Sequence, residues 1–198
     1  MSAAATWLRR WARDERGSAA EFALVLPLAL LFFFGIIDAG RYAYSFNQGE
    51  KATQTGTRFA VVTDPVATAV SQSFLDVDTS AGTLAQGDRI PADALPLVSC
   101  PAAGCTPDSG TDAAARGRLV ARMQQIWPAI EDANVVIDYE GSGLGYAGNP
   151  DGLDIAPFVT VRLTGMEFTS ILLFGANVGF PDFAYTLTME DGTGTGSN

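Results

Sequence analysis

The sequence predicts an α+β protein, in which a long N-terminal transmembrane helix continues into an exported domain with an antiparallel sheet packed on helices. Three observations carry this. A run without charge extends from Phe22 to Ile37. An apolar stripe at helical spacing (Ala115, Leu119, Met123, Ile126) follows Asp112. Three late segments alternate with period two: Val135, Ile137 and Tyr139; Val159, Val161 and Leu163; Phe183, Tyr185, Leu187 and Met189. Helices with one apolar stripe and strands with one apolar face cover each other most simply as an antiparallel sheet on helices.

The first element is a membrane span. Phe22 to Ile37 is 16 residues, about 24 Å of helix, against a hydrocarbon layer of about 30 Å. Small residues at its ends (Ala19, Ala20, Ala39, Gly40) and the rings of Tyr42 and Tyr44 extend it to the headgroup region. Arg9, Arg10, Arg13 and Arg16 precede it, opposed only by Asp14 and Glu15. That bias holds residues 1–17 in the cytoplasm as a basic leader and exports the rest. A cleaved secretory signal is the competing reading. Glu21 ahead of the apolar core, and the lack of small-x-small spacing in Ile37-Asp-Ala-Gly-Arg41, favour retention. Pro27 inside the span would cost about 3 kcal/mol in a water-soluble helix, but membrane helices tolerate it where the backbone is re-satisfied.

Helical character continues past the span. Asp38 and Arg41, three apart, share one face, and Phe46, Gly49, Ala52 or Thr53, Gly56 and Phe59 or Ala60 recur at helical spacing. The helix is therefore expected to reach about Ala60. Gly49 and Gly56 each weaken an isolated helix by about 1 kcal/mol relative to alanine. Their place on one stripe with Ala52 suggests close approach by another backbone; a helix break near Gln48 is the alternative. Residues 18–62 thus form the transmembrane and extended helix, residues 63–190 the exported domain and residues 191–198, rich in Gly and Thr, a disordered tail.

Within the exported domain, Asp64-Pro65 offers a cap and a first-turn proline for a short helix with Val66, Val70 and Phe74 on one face. Residues 76–110, interrupted by Pro91, Pro96, Pro101 and Pro107, read as a long loop with one short strand. Asp112 caps the next helix, which ends before Pro128; Arg116, Arg118 and Arg122 fall on its other surfaces, more simply as a solvated face than as a binding patch. The glycine-rich loop from Gly141 to Gly152 separates the first two late strands. Asp138, Glu140, Asp151 and Asp154 flank it, and their spacing fits no EF-hand or repeat calcium motif. Thr169-Ser-Ile-Leu-Leu-Phe174-Gly175 is an apolar knot too short to cross a bilayer. It is suited to plugging the core, or to lying against lipid or a partner.

Composition narrows function. Of 12 basic and 22 acidic side chains, four and two lie in the leader, and after Asp38 eight basic side chains face eighteen acidic ones, so the excess of acid that makes the whole chain −10 arises almost wholly in the exported part. An acidic domain repels nucleic acid and anionic lipid. Histidine is absent from the sequence, which removes the commonest general base and most catalytic zinc sites. No enzymatic activity, cofactor or metal is expected. A hydrolase using Asp151 and Asp154 would need a nucleophile–base arrangement that the sequence does not display. Cys100 and Cys105, among turn formers in an exported loop, are expected to form a disulfide, in preference to a reduced pair or a metal half-site. Closing so short a loop contributes about 2 kcal/mol and shapes a tip.

At Glu15-Arg-Gly17-Ser-Ala-Ala-Glu21-Phe-Ala-Leu-Val-Leu-Pro27, then Phe34-Gly-Ile-Ile-Asp-Ala-Gly40-Arg41 and Gly56-Thr-Arg58, the chain resembles the TadE-like (TadE/TadG) family of the tight-adherence pilus system. These are minor pilins or pseudopilins of a type IVb machinery. The resemblance covers about residues 13–62, with a looser likeness from Phe158 to Glu190. It implies a non-enzymatic component of pilus assembly or secretion, held single-pass in the bacterial inner membrane with the C-terminal domain periplasmic or extracytoplasmic. The partners it implies are other pilins or pseudopilins, the assembly platform and a prepilin peptidase. Carried over, the peptidase would cut between Gly17 and Ser18, and Glu21 would be the assembly carboxylate that neutralises a neighbour's new amine. Counting Ser18 as +1, Glu21 stands at +4 where related pilins have +5, so a cleaved pilin and an uncut anchor both remain open. The alternative function is a single-pass extracytoplasmic binding or adhesion module outside any pilus.

Overall fold

The computed structural model describes residues 16–107 and 109–196, with side chains from Ala19 onward. Arg9, Arg10 and Arg13 of the leader lie outside the described residues, as do the side chains of Arg16 and Ser18. The elements are α1 (Arg16–Ala60), β1 (Asp78–Thr79), β2 (Gly82–Thr83), β3 (Val98–Cys100), α2 (Ala113–Gln124), β4 (Val135–Glu140), β5 (Phe158–Leu163), β6 (Glu167–Thr169), β7 (Asn177–Gly179) and β8 (Phe183–Thr188), with short 3-10 turns between them. The fold is α+β, and the chain divides into two units. One comprises residues 1–43 with 169–178, the other residues 44–168 with 179–198.

The larger unit is built on an antiparallel sheet in the order β3-β4-β5-β8. Its register pairs Cys100 with Ile137, Ile137 with Val161 and Val161 with Tyr185. That alignment puts the alternating residues of all three late segments on one face. Val135, Ile137, Tyr139, Val159, Val161 and Leu163 are fully buried there. The opposite face is polar: Arg162 donates to both oxygens of Asp138 (2.7 and 3.2 Å), Ser99 Oγ donates to Asp138 Oδ1 (2.6 Å), and the Thr160 and Thr186 hydroxyls meet at 2.7 Å. One buried and one solvated face is the usual condition of an antiparallel sheet. Tyr139, at the centre of the buried face, accepts the Val66 N–H on its hydroxyl at 2.9 Å. Burial pushes that phenol well above its ordinary range, so it stays neutral.

Helix α2 follows the sequence closely. Asp112 accepts from the N–H groups of Ala114 (2.8 Å) and Ala115 (2.9 Å), which satisfies donors that a helix start leaves open. Ala115, Leu119 and Met123 are buried. Arg116 departs from the expected solvated surface: it is buried, and it donates to Asp132 Oδ1 (2.7 Å) and to the carbonyls of Cys100, Asp132 and Val135 (2.8–2.9 Å). Its planar fork ties α2 to β3 and β4 and is a structural clamp.

The second half of α1 belongs to this core. Gly49, Ala52, Thr53, Gly56, Thr57, Phe59 and Ala60 are buried, and the Thr57 hydroxyl donates to the Tyr185 carbonyl at 3.1 Å. The glycine stripe corrects the expectation of another helix backbone. A Cβ on Gly49 would lie 2.6 Å from the Phe183 ring, and one on Gly56 would lie 2.8 Å from Met123 Cγ. The small residues therefore admit large side chains of β8 and α2 from the same chain. Phe183 also meets Phe46 edge-on (centroids 5.2 Å) and joins a cluster with Phe180, Phe168 and Trp127.

Other expectations change in detail. Val66, Val70 and Phe74 are buried as their spacing implied, but the segment forms only a 3-10 turn at Thr68–Ser71. Asp64 caps no helix; it pairs with Arg118 (3.1 Å) and accepts the Gly194 N–H (2.8 Å), while its own N–H donates to the Gly194 carbonyl (2.9 Å). The tail is thus hydrogen-bonded as far as Gly194, where disorder was expected. Residues 76–110 hold three short strands instead of one, and β3 among them is an edge of the main sheet. Cys100 and Cys105 are disulfide-bonded, closing a turn in which Ser99 and Thr106 exchange backbone hydrogen bonds (2.9 and 2.7 Å).

Asp154 fastens the glycine-rich loop. Its carboxylate accepts from the N–H groups of Phe74 (2.7 Å), Asn149 (2.8 Å) and Gly148 (3.0 Å) and from Ser73 Oγ (3.1 Å). Burial pushes its pKa up, but these donors outweigh burial and hold the group below the usual carboxylate range.

Three predictions are each measured by denaturant unfolding of the full chain in detergent micelles. Gly49→Ala is expected to destabilise by about 1–2 kcal/mol net, because overpacking a rigid ring costs about 1–3 and helix propensity returns about 1. Gly117→Ala on α2, where an added Cβ meets nothing within 4 Å, is expected to stabilise by up to about 1 kcal/mol. Asp154 contributes stability that is present above its unfolded pKa of about 3.9 and lost as pH falls through its lower folded value. Asp154→Asn should therefore cost about 1.5–3 kcal/mol near neutrality and flatten the fall in stability below about pH 4.

Candidate functional site

In the smaller unit, the first half of α1 carries large apolar side chains that are left uncovered among the described residues. Phe22, Leu24, Val25, Leu28, Phe32, Phe33, Ile36 and Ile37 are all exposed, and the most apolar stretch of the helix has a mean hydropathy of 2.4 with none of it buried. An uncovered apolar surface of this size in water is destabilising; in a bilayer it is satisfied. Among the described residues, one helix, near the N-terminus, has a length and composition that fit membrane anchoring.

Two of the expected site residues sit on this stretch. Pro27 lies inside an uninterrupted helix, where its missing N–H removes the hydrogen bond to the Ala23 carbonyl. Glu21 is exposed. Because α1 is already helical at Arg16, Glu21 lies beyond the first turn, which holds no acidic residue. The first turn is where a carboxylate gains from the helix dipole, and in the full-length chain Glu21 does not occupy it. Gly17 and Ser18 lie within the helical backbone as well.

Where the apolar run ends, Asp38 is buried and organises a second segment of the same unit. Ser170 Oγ and the Leu172 N–H donate to its Oδ2, each at 2.7 Å, and Arg41 donates to its Oδ1 at 3.1 Å. The same Arg41 nitrogen reaches the Thr169 carbonyl at 3.4 Å. The Asp38–Arg41 pairing matches its i, i+3 spacing. The partnership with Ser170 and Leu172, 132 and 134 residues away, was not legible in the sequence. Its one signal was that Asp38 is the first charge after the span.

The segment so held is the Thr169–Gly175 knot. It forms a turn between β6 and β7, in which Ile171, Leu173 and Phe174 are exposed by 47, 52 and 96%. Leu172 turns the other way, and its Cδ2 lies 3.8 Å from the position of a Cβ on Gly35. The knot does not plug the core. Two of the carboxylates weighed for calcium or hydrolysis have other partners: Asp154 is surrounded by N–H donors and Asp138 is paired with Arg162.

Asp38→Ala would strip the acceptor from Ser170 and Leu172. Hydrogen–deuterium exchange in micelles is expected to show the amides of residues 170–173 exchanging faster by about tenfold or more, with β4 and β5 unchanged. Equal exchange in variant and parent would show that Asp38 does not hold the turn.

No curated protein and no solved structure matches the chain. The model of the family described as TadE-like protein matches residues 17–58. The matched stretch lies within α1, from the leader glycine through Glu21, Pro27, Asp38 and the small-residue stripe to Arg58. From Gly17 to Arg58, then, the chain is similar to the TadE-like family.

Proposed function

We propose that the chain is a non-enzymatic minor pilin or pseudopilin of a tight-adherence pilus machinery, anchored in the bacterial inner membrane by α1 with its N-terminus cytoplasmic and its α+β domain exported. The observation that carries this reading is the coincidence of the family match, residues 17–58, with a helix whose first half is uncovered and apolar and whose second half is core. Such a helix is built both to hold a domain at a membrane and to present a constant rod to neighbours. The positive-inside bias of the leader gives the orientation.

Contacts with other pilins or the platform then fall on surfaces of α1 that the domain leaves open. The Gly49–Gly56 stripe is already filled by Phe183 and Met123, so subunit packing uses the apolar stretch before Asp38. Glu21 has two roles according to processing. A cut between Gly17 and Ser18 makes it the fourth residue of a new helix, inside the turn where unpaired N–H groups and a free amine favour a carboxylate. Without the cut it stays beyond the first turn, close to the basic leader, and the chain remains an anchor.

The test is fractionation, topology and intact mass. The full chain is expected to stay in the membrane fraction under high salt and to lose its domain to protease added to spheroplasts. A soluble product cut after residue 38 would overturn the anchor. Coexpression with the cognate prepilin peptidase separates the two forms: a new N-terminus at Ser18 marks a pilin that leaves the membrane for the fibre, and an unchanged mass marks the uncut pseudopilin. In either form, Glu21→Ala is expected to lower piliation without lowering the amount of protein in the membrane. Unchanged piliation would remove Glu21 from assembly.

A further inference from the structure

We infer that the turn between β6 and β7, residues 170–176, is a second membrane-contacting element, seated in the lipid leaflet through which α1 emerges. The inference rests on α1 being a membrane helix and goes beyond it. Within the smaller unit, the turn is fixed to Asp38, the residue after the last apolar position of the run, by the Ser170 hydroxyl and the Leu172 N–H. Leu172 reaches back to Gly35, one turn nearer the span. Ile171, Leu173 and Phe174 flank that attachment and are exposed. They therefore sit at the level of the last turn of the span and continue its uncovered apolar surface.

Two further features suit lipid better than water. Between Glu167 and Asp182 there is no charged side chain, in a domain otherwise rich in acid. Six backbone donors of the turn are also satisfied internally. The N–H of Ser170 donates to Ala176 O (3.0 Å), Leu172 to Asp38 (2.7 Å), Leu173 to Ser170 Oγ (3.0 Å), Phe174 to Ile171 O (3.1 Å), Gly175 to Ser170 O (2.8 Å) and Ala176 to Leu173 O (3.1 Å). A loop in water has no need of this; a loop entering an apolar phase does, since each unpaired group there is costly.

Phe174 gives the most direct sign. Its φ of 54° is a left-handed conformation in which glycine would be cheaper, and the neighbouring Gly175 already supplies one glycine. A large aromatic ring held there and 96% exposed gains little from its own chain. Aromatic rings at the bilayer interface gain from the lipid.

The test uses the full-length chain in vesicles of phosphatidylethanolamine and phosphatidylglycerol, with the native disulfide kept oxidised. Phe174→Cys, Leu30→Cys and Ser80→Cys are each labelled with an environment-sensitive fluorophore. All three positions are exposed, so folding is not at stake. The label at 174 is expected to emit further to the blue than the label at 80. It should be several-fold less quenched by aqueous iodide, and quenched by lipid spin-labelled near the headgroup; the label at 30 should be lipid-quenched as well. If position 30 is lipid-quenched while 174 is as open to iodide as 80, the inference fails and the anchor stands. Shielding of 174 from both quenchers would mean that protein covers it, which also overturns the inference. Iodide access at position 30 would overturn the membrane reading itself.

Discussion

The approach of the Phe183 ring to Gly49 is the contact on which the larger unit depends. A β-sheet with one apolar face needs a cover, and here α1 supplies it with glycine, alanine and threonine in place of large side chains. Because Gly49 offers no Cβ, the ring comes to within 2.6 Å of where one would stand, and Phe46 closes over it from the next turn. Met123 does the same at Gly56. The bulk in this interface comes from the sheet and α2, and the space comes from α1. An anchor helix that also has to complete a core is thereby constrained along its length, apolar and uncovered before Asp38 and small and buried after Gly49. That constraint explains why glycine is tolerated twice in a helix interior, where it is otherwise unfavourable.

Ionised side chains hold the parts that apolar packing does not reach. Asp38 gathers the β6–β7 turn, Asp154 gathers the glycine-rich loop, and Arg116 gathers the ends of β3 and β4. Asp154 and Arg116 are met mainly by backbone groups, and Asp38 by the Leu172 N–H, the Ser170 hydroxyl and Arg41, which brings the chain into a fixed path. A buried charge is tolerated when its hydrogen-bonding capacity is filled. The acidic composition thus has two uses, solubility from the exposed carboxylates and loop fixation from the few that are enclosed.

Elements with a local cause were legible in the sequence. Asp112 announced α2 through its cap, and the period-two runs announced β4, β5 and β8, because burial on one face leaves that pattern in the residues themselves. The length of α1 to Ala60 was legible for the same reason. Elements whose cause is distant were not. The edge strand β3 has three residues among prolines and exists because β4 offers it a partner. Arg116 looked solvated because its neighbours in sequence do not show that the carbonyls of Cys100, Asp132 and Val135 converge on it. The glycine stripe was read in the right place with the wrong occupant, since small residues announce a close approach without naming what approaches. Of the candidate site, Glu21, Pro27 and the span were visible, whereas the bond from Asp38 to Ser170 required the fold.

That bond bears on how so short a run can serve as a span. Phe22 to Ile37 gives about 24 Å of helix, short of the roughly 30 Å of hydrocarbon, and an unpaired carboxylate at residue 38 would place the water boundary there. Asp38 is not unpaired. With Ser170, Leu172 and Arg41 supplying the hydrogen bonds that water would otherwise give, it no longer has to reach solvent by itself. The next residues, Ala39 and Gly40, are uncharged, and the boundary moves to Arg41. Phe22 to Gly40 then gives about 28 Å, close to the thickness required. The distant turn that Asp38 holds is therefore also what lets the helix carry an acidic residue at its membrane end.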